Sequence, residues 1–207
     1  MAHARKGSEA CTGCDVCLLG CPVWRATRDV RLTPHARAKG LQRGSSAAEL
    51  AEGIDACTLC GTCESACPED IALVDMVLGL RAALCADDPA RGEHFEWRRT
   101  ANQPRPPLRA TRILVASDAL DGKRICAALG DGTLQSDDDG GDIALGSELG
   151  LTLPEARRAR FLEPLRLAPS LIFEDALLAY RVAQWLPGKH VSCIGEHLSN
   201  IARVRDR

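Results

Sequence analysis

The chain has 207 residues, of which 45% are hydrophobic and 26% charged, so its length suits one or two small globular domains. A net charge of −2 excludes the basic character typical of nucleic-acid binders, and no apolar run approaches the roughly 20 residues that span a bilayer. We therefore expect a cytoplasmic protein in a reducing compartment, with any membrane association made through a partner.

Two copies of one cysteine motif, CxxCxxCxxxCP, occupy Cys11–Pro22 and Cys57–Pro68. Three cysteines spaced three apart in a tight loop can turn their sulfurs onto one centre, while the fourth points elsewhere and the proline ends the loop. A disulfide framework is disfavoured because no apolar signal segment precedes the first cysteine. Zinc would prefer four ligands in two pairs. The motifs therefore indicate iron–sulfur centres, and His3 is expected to be solvated rather than a ligand.

The spacing resembles that of two-cluster ferredoxins, in which the fourth cysteine of each motif ligates the other cluster. This resemblance implies two [4Fe–4S] clusters with crossed ligands. The first cluster would be held by Cys11, Cys14, Cys17 and Cys67, and the second by Cys57, Cys60, Cys63 and Cys21.

The segment between the motifs is basic, with cations at Arg25, Arg28, Arg31, Arg37, Lys39 and Arg43. A solvated face is the favoured interpretation. The alternative is that some of these cations offset the negative charge of reduced clusters or dock an acidic partner. Ser46 and Glu49 predict a capping box that opens the helix SAAELAEGIDA.

After the second motif, apolar residues at helical spacing predict a helix over Ile71–Leu84. The predicted first domain, residues 1–86, is thus mainly α-helical around two clusters. Residues 87–108 are polar and end in several prolines, which predicts a linker.

Residues 109–207 alternate short apolar runs with helical patterns, which predicts a small α/β domain with a parallel sheet and makes the whole chain α+β. Strands are predicted in RILVASD, PSLIFED and HVSCIGEHL, and helices in DALDGKRICAALG, LTLPEARRARFLEPL and ALLAYRVAQWL. No phosphate-binding glycine motif occurs. The acidic, glycine-rich residues 131–142 are expected to be a solvated loop rather than a calcium site. Cys85, Cys126 and Cys193 are expected to be buried small hydrophobes.

The N-terminal half, about Ala10 to Leu84, resembles the dicluster domain of the heterodisulfide reductase C subunit. It is also similar to the iron–sulfur subunits of glycolate, lactate and anaerobic glycerol-3-phosphate dehydrogenases. The C-terminal half has the strand–helix–strand rhythm of the cysteine-rich CCG domain that follows in those proteins. Where that family places paired cysteines and a glycine, this chain has Glu174, Asp175 and Ala176. The resemblance therefore implies a degenerate CCG-like domain that has lost its catalytic cluster and kept a docking surface.

The resemblance implies an electron-transfer subunit of a redox complex rather than an enzyme in its own right. Its partners would be a flavoprotein dehydrogenase or reductase and a downstream acceptor, which could be a quinone-linked subunit, a ferredoxin or a CCG-domain subunit. Two alternatives stay open. One is a catalytic heterodisulfide reductase-like subunit using Cys126 or Cys193, and the other is a redox- or oxygen-sensing interaction protein.

Overall fold

The structure, a computed structural model, describes residues 5–92, 95–97 and 106–198, so the expectation for His3 lies outside the described residues. The chain forms two compact units. The first comprises Met1–Phe95 with Ser147–Thr152, and the second Glu96–Gly146 with Leu153–Arg207. Among the described residues, no helix has the length and apolar character needed to cross a membrane.

The first unit consists mainly of short helices, because the cysteine loops and their prolines interrupt the chain repeatedly. The α-helices are α1 (Val16–Leu19), α2 (Pro22–Thr27), α3 (Pro34–Gln42), α4 (Ala51–Asp55), α5 (Thr62–Ser65) and α6 (Leu73–Asp87). Short 3-10 turns occupy Ser8–Ala10, Val30–Leu32, Ala48–Leu50 and Pro89–Gly92. The last of these turns lies within the segment predicted as a linker.

The helix predicted over residues 71–84 is confirmed as α6, with both ends displaced by two or three residues. Its Val77, Leu80 and Leu84 pack with Ile54 of α4 in one buried cluster. Ile71 is buried but not helical, because it forms a parallel bridge with Lys6. This bridge ties the N-terminal segment to the exit of the second cysteine motif.

The predicted capping box is confirmed by reciprocal hydrogen bonds. The Ser46 amide donates to Glu49 Oε2 at 2.8 Å, and the Glu49 amide donates to Ser46 Oγ at 3.3 Å. The element that follows starts as the 3-10 turn Ala48–Leu50 and becomes α-helical only in α4. The predicted helix is thus present in two short pieces.

The second unit contains a four-stranded parallel sheet, as the alternating pattern predicts. Its elements in chain order are β1 (Arg112–Val115), α7 (Gly122–Leu129), β2 (Thr133–Gln135), α8 (Gly141–Leu149), α9 (Glu155–Leu162), β3 (Ser170–Phe173), α10 (Ala176–Trp185), β4 (His190–Cys193) and α11 (Ile194–Leu198). The strand order is β2-β1-β3-β4, and all three pairings are parallel. The register places Ile113 beside Leu171 and Leu171 beside Val191.

Both faces of this sheet are covered, which is why its central strands are almost wholly apolar. On one face, Ile113 and Phe173 belong to a core that includes Phe161 of α9 and Val182 of α10. On the other face, Leu114 and Ile172 pack with Leu129 of α7. The alternation of adjacent strand residues between the two faces follows from the two-residue period of a strand.

The expectation that residues 131–142 form a solvated loop is wrong. The segment contains the edge strand β2. Its residue types do not predict a strand, because only one of the three is a large hydrophobe. Asp138 and Asp142 are buried, and both accept hydrogen bonds from the guanidinium of Arg157 on α9. Ion pairs with a residue distant in sequence therefore bury carboxylates that the local sequence predicts to be exposed to solvent.

Candidate metal centres

Four cysteines from both motifs surround one space of about 370 Å³, part of it open to solvent, which we call cavity A. Its cysteines are Cys11, Cys14, Cys17 and Cys67. Three come from the first motif and one from the second. Cys14 is exposed and the other three are half-buried.

A second space of about 390 Å³, cavity B, has the complementary set. Its cysteines are Cys21, Cys57, Cys60 and Cys63. Cys21 is buried, whereas Cys60 is exposed. Apolar side chains such as Val74 and Val77 of α6 line the rest of the wall.

The two cavities are neighbours. Pro34, at the first position of α3, and Leu73, at the first position of α6, line both of them. Both residues are buried. The two groups of four cysteines therefore share buried apolar side chains in their walls.

The two cysteine loops follow the same backbone path. In each, the residues on either side of the second cysteine have positive φ: Gly13 (84°) and Asp15 (63°) in the first loop, Leu59 (53°) and Gly61 (73°) in the second. This conformation turns the loop sharply before α1 or α5 begins. In each loop the third cysteine then lies on a one-turn helix.

Replacing Gly61 with alanine is expected to destabilise the iron-loaded protein by roughly 1–2 kcal/mol. A Cβ at this position would meet no atom within 4 Å, so the cost would come from the backbone alone. Gly79→Ala is the matched control: its site is equally open, but it lies inside α6. It should stabilise the protein by roughly 0.4–1 kcal/mol. Anaerobic urea titration gives both values, and a neutral Gly61→Ala would contradict the argument.

The basic segment between the motifs supports the first cysteine loop from α3 and contributes one residue to the wall of cavity B. The Lys39 ammonium and the Gln42 amide donate to the carbonyl of Cys11 at 2.6 and 2.9 Å. Arg37 is buried and lines cavity B. The interpretation of the whole segment as a solvated face is therefore wrong for Arg37, although Arg31 and Arg43 are exposed.

A buried carboxylate fixes the second motif to α6. Glu64, which is 6% exposed, accepts a hydrogen bond from the Val74 amide at 2.8 Å and pairs with Arg5. It thus satisfies one of the free amides in the first turn of α6. No sequence pattern pairs Glu64 with an amide ten residues later, so the prediction from sequence missed this residue.

Burial and hydrogen bonding shift the pKa values of several motif thiols. Burial and the neighbouring sulfurs raise the pKa of Cys17 to about 11. Burial, together with Cys57, raises the pKa of Cys63 to about 12, although Arg37 acts in the opposite direction. At Cys60, burial is outweighed by hydrogen bonds from Thr62 and Thr58, and the pKa falls below its usual value. Because thiolates are the metal-binding form, cluster binding would displace protons from Cys17 and Cys63.

The donor set fits an iron–sulfur cluster better than a single metal ion. Zinc needs its sulfurs about 2.3 Å from one atom. Among the described residues, no group of three or more His, Cys, Asp or Glu side chains is arranged to hold one ion. Instead, four soft sulfur donors surround a largely apolar space in each cavity, which suits a cluster of several atoms.

Glu174, Asp175 and Ala176, the three residues at which the expected likeness to a CCG domain breaks down, have structural roles. The Glu174 carboxylate accepts a hydrogen bond from the Ser117 amide at 2.7 Å, joining the carboxyl ends of β3 and β1. Asp175 caps α10 by accepting from the Leu178 amide at 2.6 Å. Ala176 is the first residue of that helix. These contacts hold the sheet and the helix together.

The three remaining cysteines are half-buried rather than fully buried, so the expectation that they are buried small hydrophobes is confirmed only in part. Cys85 Sγ donates to the carbonyl of Leu149 at 2.7 Å. Cys126 and Cys193 pack against different cores, on opposite faces of the sheet. Burial raises the pKa of both thiols, which lowers their reactivity at neutral pH.

Comparison with protein families shows that residues 7–71 match the 4Fe-4S dicluster domain. The matched range contains both cysteine motifs. The chain is thus an iron–sulfur protein, and the domain supports a role in electron transfer. Comparisons with curated proteins and with solved structures found no match.

Proposed function

We propose that this chain is the iron–sulfur electron-transfer subunit of a multi-subunit redox complex. Its relatives would be the heterodisulfide reductase C subunit and the iron–sulfur subunits of glycolate, lactate and glycerol-3-phosphate dehydrogenases. Cavity A and cavity B would each hold one [4Fe–4S] cluster through their four cysteines. A bound cluster of this kind accepts and releases one electron at a time. The proposal is carried by the two adjacent cavities, each with three cysteines of one motif and one of the other.

The side chains of the first unit would hold the clusters in position and set their surroundings. None of them would make or break a bond during electron transfer. Apolar walls limit water around the sulfurs, which affects reduction potential. Pro34 and Leu73 keep the cavities adjacent and separate. Cys14 and Cys60 are the exposed ligands, so their corners are where electrons would enter or leave. No proton transfer by this chain is needed.

The electron donor would be a reduced flavin on a partner chain. Such a flavin gives up two electrons one at a time and releases its protons to the solvent or to groups of the partner chain. Electrons and protons are therefore both accounted for without a proton carrier in this chain. The acceptor would be a quinone-linked subunit, a ferredoxin or a CCG-domain subunit. The second unit, whose Glu174 and Asp175 are occupied by structural contacts, would serve as the docking module for these chains.

Anaerobic purification with metal and flavin analysis tests the proposal. We expect about eight irons per chain, a flavoprotein in stoichiometric amount, and reduction of the visible iron–sulfur absorbance when the partner's substrate is added. Material with zinc in place of iron would contradict the cluster assignment. A fully loaded chain that no flavoprotein reduces would contradict the electron-transfer role.

A further inference from the structure

Arg37 is a buried cation that has no counter-charge among the described residues of the chain. It is 1% exposed, and its Nη1 donates to the carbonyls of Leu32 and Gly53 at 3.1 and 2.5 Å. Its Nε is buried and has no hydrogen-bond partner. Within the part of the chain that the structure describes, no carboxylate pairs with it. Burying an unpaired charge destabilises a protein unless an anion compensates it.

The space that Arg37 faces is the one lined by the cysteines of cavity B. Four thiolates around a [4Fe–4S] cluster make an anion in both oxidation states, and reduction adds one more negative charge. That anion would supply the missing counter-charge.

Cavity A has the opposite electrostatic character. Its lining includes the carboxylates of Asp15 and Glu69 and the imidazole of His35, but no lysine or arginine. His35 Nδ1 lies 2.5 Å from Asp15 Oδ1 but makes no hydrogen bond of acceptable geometry, so what lies beside that imidazole is a carboxylate. Cavity B therefore has a buried cation in its lining, whereas the Lys39 ammonium, which donates to the Cys11 carbonyl beside cavity A, belongs to a half-buried residue outside the lining.

We propose that Arg37 raises the reduction potential of the cluster in cavity B above that of the cluster in cavity A. This inference rests on the proposed function. The reduced form carries the greater negative charge, so a fixed cation stabilises it more than the oxidised form. With both clusters bound, one electron would pass from the reduced centre at A to the oxidised centre at B, with no bond made or broken and no proton moved. Arg37 would thus favour electron flow from the Cys14 side to the Cys60 side.

Anaerobic redox titration followed by electron paramagnetic resonance tests the inference on Arg37→Gln, Arg37→Lys and Arg43→Gln. Arg37→Gln should reduce the equilibrium constant for one-electron reduction at B at least about tenfold, which is about 59 mV. Arg37→Lys keeps the charge and should retain most of the potential. Arg43→Gln, an exposed change beside α3, should leave both potentials unchanged. Unchanged potential in Arg37→Gln, or equal loss in Arg37→Lys, would overturn the inference.

A second measurement does not depend on the folding of Arg37→Gln. In the Cys14→Ser variant, the ligand set of cavity B is intact, and the remaining signal should titrate at the higher of the two wild-type potentials. If it titrates at the lower one, or if the wild type shows one potential only, the inference is wrong. Absence of reducible clusters from the wild type would instead refute the proposed function.

Discussion

Replacing Cys60 with serine is expected to lower the iron content from about eight to about four per chain and to abolish electron flow from the partner. Serine offers a hard oxygen in place of a soft thiolate, which weakens one corner of cavity B. Cys21→Ser should remove iron from the same cavity, although Cys21 belongs to the first motif. The partner's own activity with a soluble dye should survive, because flavin chemistry does not require this chain. Iron analysis, visible absorbance and dye-linked assays measure these effects.

Cys126→Ser is the matched control. Cys126 lies on α7 in the second unit and packs against a core that contains no motif cysteine. Iron content and electron flow should both equal those of the wild type. Equal iron and equal flow in Cys60→Ser and wild type would refute the assignment of cavity B. Loss of activity in Cys126→Ser at full iron content would favour the alternative in which the second unit is catalytic.

Local spacing predicted the grouping of the cysteines because the relevant distances along the chain are short. Three cysteines three apart must lie close together whatever surrounds them, and one family pattern supplies the partner of each fourth cysteine. The structure brings those predicted groups of four to separate cavities. Residues that adjust these cavities could not be found in this way. Arg37 is one of six cations in a polar segment, and only its packing between Leu32 and Gly53 distinguishes it.

The second unit shows the same limit. The central strands β1 and β3 were predictable because burial on both faces leaves short apolar runs. The edge strand β2 and the helix α8 were missed, since acidic residues and glycines obscure the boundary between them. The burial of Asp138 depends on Arg157, which lies 19 residues further along the chain. A window of local sequence contains no information about such a pair.

Replacing Arg157 with methionine is expected to destabilise the second unit by roughly 3–5 kcal/mol. The Arg157 side chain is 5% exposed and those of Asp138 and Asp142 are 6% exposed, so the variant would leave two carboxylates buried, close together and without a cation. The guanidinium now donates to Asp138 at 2.9 and 3.0 Å and to Asp142 at 2.6 and 2.9 Å. Because whole domains are stable by only about 5–15 kcal/mol, this loss is a large part of the total.

Tryptophan fluorescence during urea titration would detect this effect, since Trp97 and Trp185 pack against the core of the second unit. Visible absorbance reports the clusters in the first unit separately. Arg158→Met is the control, because Arg158 is 39% exposed and pairs with Glu155 on the same helix, where an ion pair contributes about 0.3–0.5 kcal/mol. Adding Asp138→Asn and Asp142→Asn to Arg157→Met removes the repulsion and should recover part of the loss. If Arg157→Met were as stable as Arg158→Met, the buried ion pairs would not be what holds residues 131–142 in place.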